Sequence, residues 1–144
     1  MLNATQIEAL KTESTTDPQG YGYAVPYDRG SDSDVAYLLN QSRAVIRIDR
    51  DIVPAYEIYE AIVPGEWKAL VADEKQRIQT LLSMGEVNAQ GPNTRASFLA
   101  TFVAGSQTRT NLAALQTRDG SRAEQLFGAG IAVTWQDVAA ARRI

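Results

Sequence analysis

Ala44-Val45-Ile46-Arg47-Ile48-Asp49 is the stretch that decides how the remaining sequence is read. It is short, β-branched and alternating towards its end, which predicts a β-strand. A lone strand is not stable, because its backbone N–H and C=O groups need a neighbour. The other compact candidate is Ile131-Ala132-Val133, held between Gly130 and Thr134. The sequence therefore predicts a single two-stranded pair, about 44–49 with 130–134, tying the middle of the chain to its end.

Outward from that strand the signals are helical. Thr5 and Glu8 have capping-box spacing, and Ile7 and Leu10 give a narrow apolar stripe, so a first helix is predicted from about Ala4 to Ser14. Asp17-Pro18 stops it, since the residue before proline is pushed out of helical geometry. Ser31 to Asp34 supply a cap and acids for a helix through Val35, Leu38 and Leu39. Pro54 suits the first turn of a helix to about Ile62, and Pro64 opens a short turn holding Trp67 and Leu70. Asp73 caps a longer helix ending near Gly85, and Asn93 or Thr94 caps the next. Ser106, the pair Ser121 and Glu124, and the pair Thr134 and Asp137 mark three further starts. Seven or eight short helices with one small β pair make a mainly α, compact bundle, read as one domain over residues 1–144.

Between the first two helices, residues 17–33 read as a loop punctuated by Pro18, Gly20, Gly22, Pro26 and Gly30. Tyr21, Tyr23 and Tyr27 interleave with these breakers. Tyrosines in a loop either form a contact surface or pin the loop to its own core.

Composition narrows the chemistry. The 144 residues include no Cys and no His, which excludes disulfides, thiolate catalysis and any Ser-His-Asp or Cys-His mechanism within the chain. The net charge of −3 argues against a dedicated nucleic-acid binder. Charge is unevenly placed: residues 1–100 carry 9 basic and 14 acidic side chains, whereas residues 101–144 carry 5 basic and 3 acidic. Such a split suits head-to-tail packing of copies, or simply two solvated faces. Met1-Leu2-Asn3-Ala4-Thr5-Gln6 has neither a basic start nor a long apolar run, and no apolar stretch approaches the roughly 20 residues needed to span a bilayer. A soluble protein made in the cytoplasm is expected.

Three clusters invite a chemical reading. Asp28, Asp32 and Asp34 lie in a Gly/Ser-rich stretch, but lack EF-hand spacing, and helix capping explains them more simply. Glu57 and Glu60 share a helical face near Trp67, which permits an acid-catalysed cell-wall hydrolase if one carboxyl sits in an apolar setting. Arg109, Arg118 and Arg122, with Arg142-Arg143, offer bidentate carboxylate recognition at an interface, or interior ion pairs. No motif calls for a metal or cofactor.

Several segments also form a familiar series. They are Ala9-Leu10-Lys11 with Asp17-Pro18 and Gly20-Tyr21-Gly22-Tyr23, then Glu57-Ile58-Tyr59-Glu60-Ala61-Ile62-Val63-Pro64-Gly65-Glu66-Trp67, then Asn93-Thr94-Arg95. Phe102-Val103-Ala104-Gly105-Ser106-Gln107-Thr108-Arg109, Ser121-Arg122-Ala123-Glu124 and Asp137-Val138-Ala139-Ala140-Ala141-Arg142 complete it. In this order they resemble a group of small structural-region proteins of tailed bacteriophages and prophages. The resemblance implies a virion component rather than an enzyme, made in the host cytoplasm, in the head–tail connector, as an adaptor or elsewhere in the tail. A capsid decoration, a collar or a fibre-attachment protein is the alternative within that class. It also implies portal or tail proteins as partners, homo-oligomerisation in the particle, and no membrane or specific nucleic-acid partner. On this reading Tyr21, Tyr23, Tyr27, Arg109 and Arg122 include the protein-interface residues.

Overall fold

The computed structural model describes residues 1–144 and contains ten helices and four short strands. Strand β1, Ser42–Asp49, forms where expected, but its partner is β4, Thr117–Ser121, and not residues 130–134. Two local causes divert the predicted partner. Gly128 and Gly130 take positive φ, which breaks an extended run. The amide of Asn40 then occupies both backbone groups of Val133, donating to its carbonyl at 2.7 Å and accepting from its N–H at 2.8 Å. A side chain thus supplies the bonds that a strand would have made. The actual partner, Thr117-Arg118-Asp119-Gly120-Ser121, contains an Asp and a Gly and so has little intrinsic strand preference. Gly120 is buried there because β1 comes close: a Cβ would collide with Cγ1 of Ile48 and lie 3.2 Å from Cγ2 of Ile46. A second pair, not expected from the sequence, joins β2, Ile52–Pro54, antiparallel to β3, Glu86–Asn88, with Val53 opposite Val87.

The chain, read from sequence as one domain, divides into two compact units. The first comprises residues 1–48 and 119–144. Its helices are α1 (Ala4–Thr16), α2 (Ala24–Asp28), α3 (Asp32–Asn40), α9 (Arg122–Phe127) and α10 (Trp135–Arg143). Helix α10 packs against both α1 and α3, and Leu10, Tyr23, Val35, Leu39, Val138 and Ala141 form the centre of the core. Helix α1 opens with a reciprocal box between Asn3 and Gln6 rather than Thr5 and Glu8, because the chain is already helical at Ala4 and Thr5 lies inside the first turn. It closes at Asp17, which takes the left-handed conformation (φ 42°) and accepts the Tyr21 and Gly22 N–H groups on its carboxylate. The boxes at Ser121/Glu124 and Thr134/Asp137 form as expected. The predicted 17–33 loop is interrupted by α2, a single helical turn centred on Pro26.

The second unit is residues 49–118. It contains α4 (Ala55–Ala61), α5 (Pro64–Lys68), α6 (Ala72–Leu82), α7 (Pro92–Thr101) and α8 (Gln107–Leu115), together with β2 and β3. Helix α4 packs on α6, α8 and β2, and α7 packs on α8. Val53, Ile58, Ile78, Val87, Phe102 and Leu112 are buried between them. Ten helices stand where seven or eight were expected, because α2 sits inside the predicted loop and α5 is one short turn. With 58% of its residues helical, the fold is mainly α. No helix is long and apolar enough to cross a membrane.

Candidate protein-binding surfaces

The tyrosine-bearing segment turns inward. Tyr23 is fully buried and Tyr27 is 7% exposed, so neither forms a contact surface, contrary to the interface expectation. The ring of Tyr21 meets that of Tyr23 edge-on at 6.3 Å, with the guanidinium of Arg43 stacked 3.8 Å from its centroid. Tyr27 lies 4.2 Å beneath the guanidinium of Arg142, which in turn binds Asp32 at 2.7 Å. The Tyr23 hydroxyl donates to Oε1 of Glu13, a residue 5% exposed. Arg122 donates to both oxygens of the same carboxylate, from Nε at 2.7 Å and from a terminal nitrogen at 3.0 Å. Arg122 is therefore a structural residue of the first unit, not a free interface residue. These residues fasten the Tyr-bearing segment to α1 and α9.

Arg109 behaves differently. It lies on the first turn of α8, a helix whose N-terminus is doubly capped. Ser106 accepts the Arg109 N–H, while the Glu66 carboxylate, carried by α5, accepts the N–H groups of Gln107 and Thr108 and the Thr108 hydroxyl. Those three bonds, the Thr108 hydroxyl foremost, hold the Glu66 carboxyl below its usual range. With the backbone satisfied this way, the Arg109 guanidinium has no hydrogen-bond or ion-pair partner. It borders a groove of about 260 Å³ between α7 and α8, shared with Arg95, Phe98, Leu99, Leu112 and Ala113. Arg95 bonds to the Gln90 side chain and the Ala89 carbonyl, and to no carboxylate. Leu99 is 54% exposed. Two cations and an apolar floor thus face one opening.

A second exposed patch lies on α4. Ile58 and Ala61 point into the core, which leaves Tyr56 (70% exposed), Tyr59 (68% exposed) and Glu60 on the opposite face at i, i+3 and i+4. Glu60 makes no ion pair, whereas Glu57, three positions earlier, binds Arg50 at 2.6 Å. The two carboxylates that the sequence offers as a catalytic pair therefore have different tasks. Glu60, Tyr59 and Trp67 do share a groove of about 460 Å³ with Ile62, Lys68 and Leu82. Sequence reasoning singles out Glu60 and Trp67 but misses Tyr56, Tyr59 and Arg95 as surface groups. The helical spacing of two tyrosines and a glutamate opposite Ile58 and Ala61 was the available signal.

No family model, curated protein or solved structure matches this chain.

Proposed function

We propose that the chain is a bacteriophage virion structural protein acting through protein–protein contacts, as a head–tail connector or adaptor or as another tail-associated component. The observation that carries this reading is the Arg109 guanidinium, left without a carboxylate at the edge of an apolar groove that already holds Arg95. Arginine and aromatic side chains beside apolar surface are the anchors of protein interfaces. The exposed Tyr56 and Tyr59 belong to the same class of anchor. The segment-by-segment resemblance to phage structural-region proteins supplies the setting, with portal or tail proteins and further copies of the chain as partners.

The test is to inactivate the gene in the phage or prophage that encodes the chain and view the lysate by electron microscopy. The proposal expects unjoined heads and tails, or particles with incomplete tails, restored by supplying the chain in trans. Normal, infectious particles would overturn it.

A further inference from the structure

We infer that the groove between α7 and α8 receives the α4 face of a second copy of this chain, so that copies join head to tail through their second units. The inference deepens the proposed function, since it rests on the chain acting by self-association in a particle.

From Val87 to Arg118 the sequence contains three arginines and no acidic residue, so the α7–α8 hairpin carries no carboxylate of its own to meet Arg95 and Arg109. The floor of the groove is Phe98, Leu99 and Leu112. A fitting occupant must therefore offer a carboxylate flanked by apolar or aromatic surface. The same unit displays such a group on α4, where unpaired Glu60 stands beside the exposed rings of Tyr56 and Tyr59. Arginine binds a carboxylate in two-pronged fashion and also stacks on tyrosine faces, so each element of one patch has a counterpart on the other.

The two patches share no residue. A contact between them is heterologous, using different surfaces of the two copies, so a joined pair keeps one free groove and one free α4 face, on different copies. Such contacts continue until a ring closes, or extend as a filament when it does not.

The test uses the full chain and two charge reversals, Glu60→Arg and Arg109→Glu, with circular dichroism and thermal melting confirming that both remain folded. Sedimentation velocity at millimolar chain concentration should show the wild type associating and each variant weakened by about tenfold or more. An equimolar mixture of the two variants should form pairs again, because the unaltered α4 face of the R109E copy meets the unaltered groove of the E60R copy, and the two altered patches meet with their charges exchanged. The uncharged variant Tyr59→Ala should weaken association without altering its salt dependence. A wild type that stays monomeric, or variants that associate like wild type, would overturn the inference. A monomeric chain still found in phage particles would remove this contact while leaving the virion reading standing. Self-association by a chain absent from particles would do the reverse.

Discussion

Glu13 on α1 and Arg122 on α9, 109 positions apart in sequence, meet in a two-pronged ion pair inside the first unit, with side chains only 6% and 12% exposed. The pair is what turns a Gly/Pro-rich segment inward, since the same carboxylate also accepts the Tyr23 hydroxyl. Removing one member leaves the other charge buried and unpaired, which costs about 3 kcal/mol or more. Arg122→Ala should therefore lower the urea midpoint sharply. The double variant Glu13→Gln/Arg122→Met should be less damaging than the sum of its parts, because neither charge is then stranded. Additive losses would show that the two residues act independently.

Alkaline pH tests the same cluster from another side. Burial, then the hydrogen bond and negative charge of Glu13, push the Tyr23 phenol far above its ordinary range. Above pH of about 10 the unfolded chain loses this proton while the folded chain keeps it, so stability falls as pH rises, by up to about 1.4 kcal/mol per pH unit for this group. Tyr23→Phe should be less stable at neutral pH but decline less steeply in alkali. Parallel declines for the variant and the wild type would contradict the assignment.

Acid tests the second unit. Glu66 is held below its ordinary range by the Thr108 hydroxyl, with the Thr108 and Gln107 N–H groups adding to it. A depressed carboxylate contributes stability above its unfolded value of about 4.3 and loses it as pH falls through the folded value. Glu66→Gln should melt earlier than wild type at neutral pH, with the difference shrinking in acid. A difference independent of pH would mean that shape, and not charge, does the capping.

The β1–β4 pair makes Gly120 sensitive to a single methyl group. Gly120→Ala places a Cβ against Ile48 and Ile46, with an expected loss of about 1–3 kcal/mol and faster amide exchange along β1. At Gly130, where the space is open, alanine meets only the φ of +79°, and exchange along β1 should stay unchanged. The reverse result would favour residues 130–134 as the strand partner.

Much of the fold was legible because local physics decides it. The capping boxes at Ser121 and Thr134, the proline-led turn at Pro64 and the strand at 44–49 each follow from neighbouring residues alone. What escaped depended on groups distant in sequence. Asn40 takes the backbone bonds of Val133 across 93 positions, which no periodicity announces. The sequence β4 uses, with its Asp and Gly, reads as a turn until Ile48 fills the space that Gly120 leaves. The interface residues divided on the same principle. Tyr23, Tyr27 and Arg122 stand out in the sequence, but their buried partners lie on other elements, so the sequence left open whether they face inward. Arg109 stands out as well, and only the structure shows that no carboxylate reaches it.

Quantitative mass spectrometry of purified phage particles, counting this chain against the major capsid protein, tests the virion assignment directly. A virion component should be present at a fixed low copy number, roughly a dozen for a symmetric connector ring built from head-to-tail contacts. Complete absence of the chain from particles would contradict that assignment.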